Sequence, residues 1–306
     1  MGASPSYLTL YCTGELQRRL AALERLLHPC TLCPRNCRVN RLSGELGLCK
    51  AGDRLMVAAA FPHFGEEPPL SGQSGSGAIF ISWCNLLCQF CQSWEVNHRG
   101  EGVPVSARQL AGIMLDLQSQ GCHNINLVTP THYTPQLMAA LPWAIEQGFR
   151  LPLVYNCGGY EPLEVIQLLD GIVDIYLPDI KFFDPFASEC YLDGAVDYPI
   201  AVRTAVKEMH RQVGDLILDA RGIAQRGLIV RHLVMPGLTE DSEAILRFIA
   251  DELSLETYVN IMDQYRPCFE ARHSPHIGRR TTPAEHRAVV EMADRLGLHR
   301  GLPGLA

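Results

Sequence analysis

Long hydrophobic runs are missing from this chain of 306 residues. The longest apolar run extends only from Leu55 to Phe61, whereas a transmembrane helix needs about 20 such residues. The start of the chain also lacks a basic segment followed by an apolar core, which is the pattern of a secretory leader. These absences predict a protein that does not enter a membrane, with the cytoplasm as its expected location.

A concentrated basic segment is missing as well. The net charge is −7, from 33 acidic and 26 basic residues, and the basic residues are scattered along the chain. A nucleic-acid partner is therefore not expected. Charged residues make up 19% of the chain and hydrophobic residues 47%, a globular composition that excludes long disordered segments.

Cysteine, in contrast, is abundant, with 12 residues. Without a leader, so many cysteines argue against a disulfide scaffold and favour thiolates that bind metal in a reducing compartment. Seven of them fall in two clusters, which are Cys30, Cys33, Cys37 and Cys49, and Cys84, Cys88 and Cys91.

Short apolar runs alternate with amphipathic helices from Ala78 onward, which predicts repeated βα units and a parallel sheet. The predicted strands are 78–82, 124–129, 151–156, 173–179, 228–235 and 258–263. The predicted helices are 106–120, 134–147, 199–213, 241–253 and a tail helix at 283–297. The fold class is therefore α/β, with a partial (β/α)6 TIM-like barrel whose site residues follow the carboxyl ends of the strands.

The region before this core has a different pattern. The leucine spacing in residues 15–27 predicts an outer helix. Residues 28–53 contain four cysteines and little periodicity, which indicates a small module folded around metal. We therefore divide the chain into an N-terminal helix with a Cys-rich metal-binding module (1–65) and a core barrel with a C-terminal helix (66–306).

Cys84, Cys88 and Cys91 directly follow the first predicted strand, so they belong to one loop at the expected catalytic end of the barrel. A [4Fe–4S] cluster normally takes four thiolates, and three local ligands leave one iron open to a non-protein ligand. Zinc completed by a distant cysteine or histidine is the alternative, since zinc also favours thiolates.

The pattern C-x-x-x-C-x-aromatic-C after the first strand resembles the signature of the radical S-adenosylmethionine (SAM) superfamily. The resemblance implies that Cys84, Cys88 and Cys91 hold a [4Fe–4S] cluster whose open iron chelates SAM, with Phe90 beside the adenine. It also implies reductive cleavage of SAM to a 5′-deoxyadenosyl radical that abstracts hydrogen from a substrate. A one-electron donor such as flavodoxin or ferredoxin is the implied partner.

The ends of later strands supply further SAM contacts by the same resemblance. Many relatives have Gly-Gly-Glu-Pro after the second strand, where this chain has Val128–Tyr133, so a contact from Thr129 replaces the missing carboxylate. Asn156 ends the third strand in a turn like that of the pyruvate formate-lyase-activating enzymes.

Asp179 and Lys181 point to the same side of the fourth strand because side chains alternate along it. They match an Asp-x-Lys pair at the methionine end of SAM, and we assign both as catalytic and SAM-binding residues. Arg231 matches an arginine near SAM. A structural ion pair of Asp179 with Lys181 and a purely structural Arg231 are the alternatives.

Three strings resemble the PflX-like branch of the superfamily, which is homologous to the pyruvate formate-lyase-activating enzymes. They are Cys33–Cys37 (CPRNC), Tyr176–Lys181 (YLPDIK) and Met262–Pro267 (MDQYRP). The resemblance implies a glycyl-radical enzyme as the substrate. A peptide or small metabolite is the alternative substrate, and a non-enzymatic iron–sulfur or zinc protein is the alternative function.

Cys30, Cys33, Cys37 and Cys49 supply four soft ligands in a short span, which predicts a second iron–sulfur cluster or a zinc site. Four buried thiols without metal are the alternative. Several other side chains near strand ends receive no chemical role. Cysteines left unassigned are Cys12, Cys122, Cys157, Cys190 and Cys268. Glu66 and Glu67 are expected in a solvated turn, with a place in the lining of the site as the alternative. The histidines expected to face solvent or to cap are His63, His123 and His132.

Overall fold

A nine-stranded sheet organises the chain, and the computed structural model describes residues 5–302. The strands within this range are β1 (Leu55–His63), β2 (Ser76–Ile81), β3 (Val103–Val105), β4 (Ile125–Val128), β5 (Leu153–Cys157), β6 (Ile175–Pro178), β7 (Ile217–Leu218), β8 (Ala224–Leu233) and β9 (Tyr258–Met262).

Six of these strands lie side by side in the order β2, β4, β5, β6, β8 and β9, and each neighbouring pair is parallel. They correspond to the six strands predicted from the sequence. Their carboxyl ends share one edge of the sheet, where the chemistry of parallel folds is usually found. The mainly parallel α/β class is confirmed, while the partial (β/α)6 barrel and the domain boundary at residue 65 stay predictions.

Three further strands were not predicted. β1 pairs antiparallel with both β2 and β3, and β7 pairs antiparallel with β8. β1 contains the longest apolar run of the chain, but it was not recognised as a strand of a βα unit, because Pro62 disfavours a strand and the residues that follow are rich in Gly, Ser and Pro. β3 and β7 are too short to produce a periodic pattern.

Twelve α-helices lie within residues 5–302. They are α1 (Tyr7–Cys12), α2 (Glu15–Arg25), α3 (Pro68–Ser71), α4 (Trp94–Arg99), α5 (Ala107–Ser119), α6 (Thr134–Met138), α7 (Leu141–Glu146), α8 (Leu163–Leu168), α9 (Pro185–Tyr191), α10 (Tyr198–Val213), α11 (Thr239–Glu252) and α12 (Pro283–Arg295). No helix in the described range combines the length and apolarity needed to cross a membrane.

The long predicted helices are present, with one correction. The helix predicted over 134–147 is divided into α6 and α7, because Pro142 occupies the first turn of α7, where its missing N–H costs nothing. α2 agrees with its leucine spacing, since it buries Leu16 and Leu23 and packs against α6 and α8.

Local sequence sets the start of α12. Thr282 Oγ1 accepts the backbone N–H of Glu285 at 3.2 Å, and Glu285 Oε2 accepts the backbone N–H of Thr282 at 2.8 Å. This reciprocal pair is a capping box, which satisfies backbone donors that the helix itself leaves free.

Replacement of Thr282 by alanine is expected to lower the free energy of unfolding by about 1 kcal/mol, because the cap is lost. Urea denaturation followed by circular dichroism measures the effect. Thr204→Ala is the control, since Thr204 is an exposed residue inside α10. Equal destabilisation by both substitutions would contradict the capping role of Thr282.

Candidate active site

A cavity of about 250 Å³ opens at the carboxyl ends of the parallel strands. Every residue predicted from the sequence to bind the first cluster or SAM lines this cavity. The group consists of Cys84, Cys88, Phe90, Cys91, Thr129, Asn156, Asp179, Lys181 and Arg231. Residues separated by much of the chain are thus brought to one site by the topology of the sheet.

The loop that follows β2 has a constrained backbone. Trp83 and Leu87 have φ of 70° and 50°, a region that residues with side chains seldom occupy. Gly158 packs closely against this loop, since a Cβ at that position would lie 2.4 Å from Leu86 Cδ1. Strain of this kind persists where surrounding contacts fix a functional loop.

Hydrogen-bond donors point at two of the three sulfur atoms in this loop. The backbone N–H of Leu86 donates to Cys84 Sγ at 3.4 Å, and Asn97 Nδ2 donates to Cys91 Sγ at 3.3 Å. Burial raises the pKa of the Cys88 thiol, while the charge of Lys181 opposes that rise. Buried thiols gain little from ionising alone, whereas a metal replaces the proton and stabilises the thiolate.

The three cysteines fit a [4Fe–4S] cluster that has one open iron. Each thiolate of such a cluster binds a different iron, and all three cysteines line the same cavity. The two donors to sulfur would stabilise thiolates there.

A buried ionic network also lines the cavity. Asp179 Oδ2 lies 2.7 Å from Lys181 Nζ, and Asp179 Oδ1 lies 2.8 Å from Arg231 Nε. Burial opposes ionisation of Asp179, but the charges of Arg231 and Lys181 outweigh it and lower its pKa to about 2. The ion pair that the sequence left as an alternative is therefore present, and it lies inside the cavity.

Arg231 extends the network to two further groups. Its Nη2 donates to Asn156 Oδ1 at 2.9 Å, and its Nη1 lies 3.3 Å from Glu66 Oε2. The side chains of β5, β6 and β8 are thereby joined to a segment that precedes β2.

The expectation of a solvated turn at Glu66 and Glu67 is wrong. The Glu66 side chain is only 8% exposed because it pairs with Arg231. Glu67 is 4% exposed and accepts a hydrogen bond from Asn260 Nδ2 at 2.8 Å. Their partners lie on β8 and β9, so nothing in the local sequence indicated the burial.

The expectation for His132 is wrong too. This residue is 1% exposed, and burial lowers the pKa of its ring to about 3, so the ring is neutral. Its Nε2 lies 2.8 Å from the carbonyl oxygen of Ser82, to which the neutral ring donates. His63 and His123 are partly exposed, as expected.

Glu161 is a buried carboxyl that the sequence analysis did not single out. Thr131 Oγ1 donates to its Oε1 at 2.5 Å, and the Tyr155 hydroxyl donates to its Oε2 at 3.2 Å. Burial is the largest influence and raises the pKa of Glu161 to about 7. A glutamate after a strand carries no local sign of such a partner set.

Thr129 has an unusual backbone at the end of β4. Its φ is 62°, which is rare for a β-branched residue. Its N–H donates to the carbonyl oxygen of Asn156 at 2.8 Å, which continues the parallel pairing of β4 with β5 past the end of β4.

The N-terminal cysteines also lie close together. Cys30, Cys33 and Cys49 are buried, and Cys37 is partly buried. Burial raises the pKa of Cys33 and of Cys49, and the neighbouring cysteines of the set contribute to both rises. A Cβ at Gly47 would lie 2.4 Å from Cys37 Sγ, so the chain passes directly over that sulfur.

Arg35 connects this cysteine set to the loop after β2. Its Nε donates to the carbonyl oxygen of Asn85 at 3.0 Å, and its Nη2 donates to those of Leu86 and Leu192 at 3.3 and 2.7 Å. Arg35 therefore joins the two segments that carry the cysteine clusters, which the sequence predicted separately.

Comparison with known proteins identifies the family. Residues 78–249 match the Radical SAM superfamily profile. The uncharacterized protein MJ0674 of Methanocaldococcus jannaschii is 30% identical over 291 residues, covering 92% of this chain and 79% of that protein. The chain belongs to the radical SAM superfamily, and a [4Fe–4S] cluster and SAM are its cofactors.

Two solved structures resemble the chain at low sequence identity. The radical SAM methyltransferase TsrM from Kitasatospora setae, solved with cobalamin and a [4Fe–4S] cluster, has 17% identity and a TM-score of 0.43, covering 61% of this chain and 36% of its own. TYW1, solved with a lysine–pyruvate adduct, has 12% identity and a TM-score of 0.44, covering 71% and 73%.

Replacement of Thr129 by glycine is expected to raise the free energy of unfolding by about 1 kcal/mol, because the left-handed backbone strains a β-branched residue. Chemical denaturation measures the change. Thr129→Val is the matched control, since it removes the hydroxyl and keeps the strain. A glycine variant no more stable than the valine variant would exclude strain at this position.

Glu161 is expected to make the protein less stable as the pH rises from 4.5 to 7. Its folded pKa of about 7 exceeds the ordinary value of 4.5, so the folded protein binds more protons in this interval. The stabilisation is complete below pH 4.5, and about 3 kcal/mol is lost as the pH passes 7.

The free energy of unfolding, measured by denaturation at several pH values, tests this dependence. Glu161→Gln should remove that part of the pH dependence. Glu164→Gln should retain it, because Glu164 is exposed on the adjacent helix α8. The same slope in wild type and Glu161→Gln would refute the role of Glu161.

Proposed function

We propose that this radical SAM enzyme cleaves SAM reductively and abstracts a hydrogen atom from a substrate held at the carboxyl end of the sheet. One observation carries the proposal: the three cysteines and the Asp179–Lys181–Arg231 network line the same cavity. The cavity therefore offers both cluster ligands and polar contacts for an amino acid.

Cys84, Cys88 and Cys91 would hold three irons of the cluster and leave the fourth for the amino and carboxylate groups of SAM. When bound, the cluster and SAM supply one-electron cleavage to methionine and a 5′-deoxyadenosyl radical. Flavodoxin or ferredoxin is the proposed class of one-electron donor.

Lys181 is suited to the methionine carboxylate. An ammonium group has three donors, and its bond to Asp179 uses one of them. Asp179 holds Lys181 and Arg231 in place, so removal of the carboxylate would leave buried Lys181 without its partner and Arg231 with Glu66 alone. In this proposal Lys181 binds SAM, and Asp179 orients the cationic groups around it.

Asn156 and Thr129 would complete the contacts to the methionine end of SAM. Asn156 Oδ1 accepts from Arg231, which leaves the amide N–H group as the donor for SAM. Thr129 is held beside it by the backbone bond to Asn156 and brings a hydroxyl to the cavity wall.

Phe90 provides an apolar surface for the adenine. It is 6% exposed, and its ring makes edge contacts with Phe182 and Tyr265 at centroid distances of 5.9 and 6.2 Å. These neighbours fix the ring, so a planar base can pack against it without a loss of side-chain freedom.

Part of the remaining cavity wall is apolar, with Leu233 at the end of β8, Met235 beyond it and Met262 at the end of β9. An apolar wall excludes water from a reactive radical. A glycine of a glycyl-radical enzyme is our proposed substrate, supported by the Met262–Pro267 string, and a peptide or small metabolite is the alternative.

Anaerobic reconstitution tests the reaction. With dithionite and SAM, wild-type protein should form 5′-deoxyadenosine, while Cys88→Ser should lose most of its cluster iron and activity, because a cluster ligand is missing. Cys122→Ser is the matched control, since Cys122 is buried but does not line the cavity.

Liquid chromatography measures the nucleoside, and iron analysis measures the cluster. Wild-type protein that carries a full cluster and yet forms no more 5′-deoxyadenosine than Cys88→Ser would overturn the proposal.

A further inference from the structure

Arg41 is a fully buried arginine in the segment between Cys37 and Cys49. It is 1% exposed and is one of the largest side chains to be completely enclosed. It begins a short 3-10 helix, Arg41–Ser43, in a region with little other regular structure. A guanidinium remains charged in proteins, so its burial requires compensation.

Neutral groups surround the guanidinium. Its Nε and Nη2 donate to the carbonyl oxygen of Gly52, the former at 3.1 Å, and its Nη1 donates to that of His132 at 2.5 Å. Its central carbon lies 5.2 Å from the ring centre of Tyr133. These contacts give each nitrogen of the guanidinium an acceptor, and none of them supplies a negative charge.

No carboxylate within residues 5–302 lies at ion-pair distance from Arg41, although other buried cations of the chain have such partners. An isolated buried charge is strongly unfavourable, at several kcal/mol even after relaxation. The compensating negative charge must therefore come from groups that are neutral in the metal-free protein and become anionic when metal binds.

The N-terminal cysteines are the groups of this kind next to Arg41. The segment that leads to Arg41 pairs with Cys30, since the N–H of Cys30 donates to the carbonyl oxygen of Val39 at 2.9 Å and the N–H of Arg38 donates to that of Cys30 at 3.0 Å. Three of the four cysteines are buried like Arg41. As thiols they supply no counter-charge, whereas as metal-bound thiolates they do.

We propose that Cys30, Cys33, Cys37 and Cys49 bind a second metal centre as four thiolates, and that buried Arg41 balances its net negative charge. Zinc and an iron–sulfur cluster both accept four thiolates with an excess of negative charge. Metal analysis distinguishes the two.

The centre would also support the loop that carries the first cluster. Arg35 lies between Cys33 and Cys37, so ligation at both cysteines fixes the segment from which it extends. Arg35 then holds the carbonyl groups of Asn85 and Leu86 inside the loop of Cys84 and Cys88. Arg35 is in this sense a positioning residue for the first cluster.

The metal content of the second centre is measured first, in a full-length chain that lacks the ligands of the first cluster. Cys84→Ala, Cys88→Ala and Cys91→Ala are combined, and the protein is purified anaerobically with and without iron–sulfur reconstitution. Elemental analysis should find about one zinc or about four irons per chain. Addition of Cys33→Ser and Cys49→Ser should abolish that content. A triple variant that holds neither metal would overturn the proposal.

The charge of Arg41 is tested in the same triple-variant chain. Arg41→Met should weaken metal binding by about 10–100-fold, measured by competition with a chelator, as for other groups that support metal ligands. Arg41→Lys, which keeps the charge, should bind more tightly than Arg41→Met. Arg54→Met is the matched control, since Arg54 is exposed nearby and should bind as the parent does.

A packing role for Arg41 is separated from the charge role by thermal unfolding of each variant with and without metal. Charge balance predicts that Arg41→Met costs more stability in the metal-bound protein than in the metal-free protein. An equal cost in both forms, or unchanged metal affinity in Arg41→Met, would refute charge balance by Arg41.

Discussion

The buried carboxylate of Asp179 is the interaction on which the site depends. It lies between Lys181 and Arg231, and it is the carboxylate partner of Lys181 and one of the two carboxylate partners of Arg231. Buried cations need such partners. Backbone bonds carry the same connection, because the N–H of Asp179 donates to Cys157 and that of Ile180 donates to Arg231. The ends of β5, β6 and β8 are therefore held together by charge and by backbone pairing at the same point.

Charge balance also connects the catalytic end of the sheet with the N-terminal segment. Both regions contain buried arginines, but only Arg231 has carboxylate partners among the described residues. Arg41 has carbonyl groups and an aromatic ring, and its nearest groups able to become anionic are cysteines. A buried arginine requires negative charge beside it. Carboxylate side chains supply that charge to Arg231, and in our proposal metal-bound thiolates supply it to Arg41.

The sequence predicted those features that repeat locally or match a motif. Six parallel strands follow from alternating apolar runs and helices, and the site residues follow because parallel strands end at one edge. It did not predict the burial of Glu66, whose partner Arg231 is 165 residues away. His132 and Glu161 were missed for the same reason, since burial of a polar residue depends on distant partners and local sequence does not encode them.

The distribution of polarity around the cavity constrains how a substrate approaches. Charged groups stand at the ends of β6 and β8, and the cysteines stand after β2, so the polar part of SAM is expected between them. The side of Leu233, Met235 and Met262 is mainly apolar, and the amide of Gln264 is the polar group beside Met262. A substrate carbon that meets the radical along this side would lose its water before reaction. In our proposal the substrate is a protein or peptide, which can gain further binding energy from groups outside the cavity.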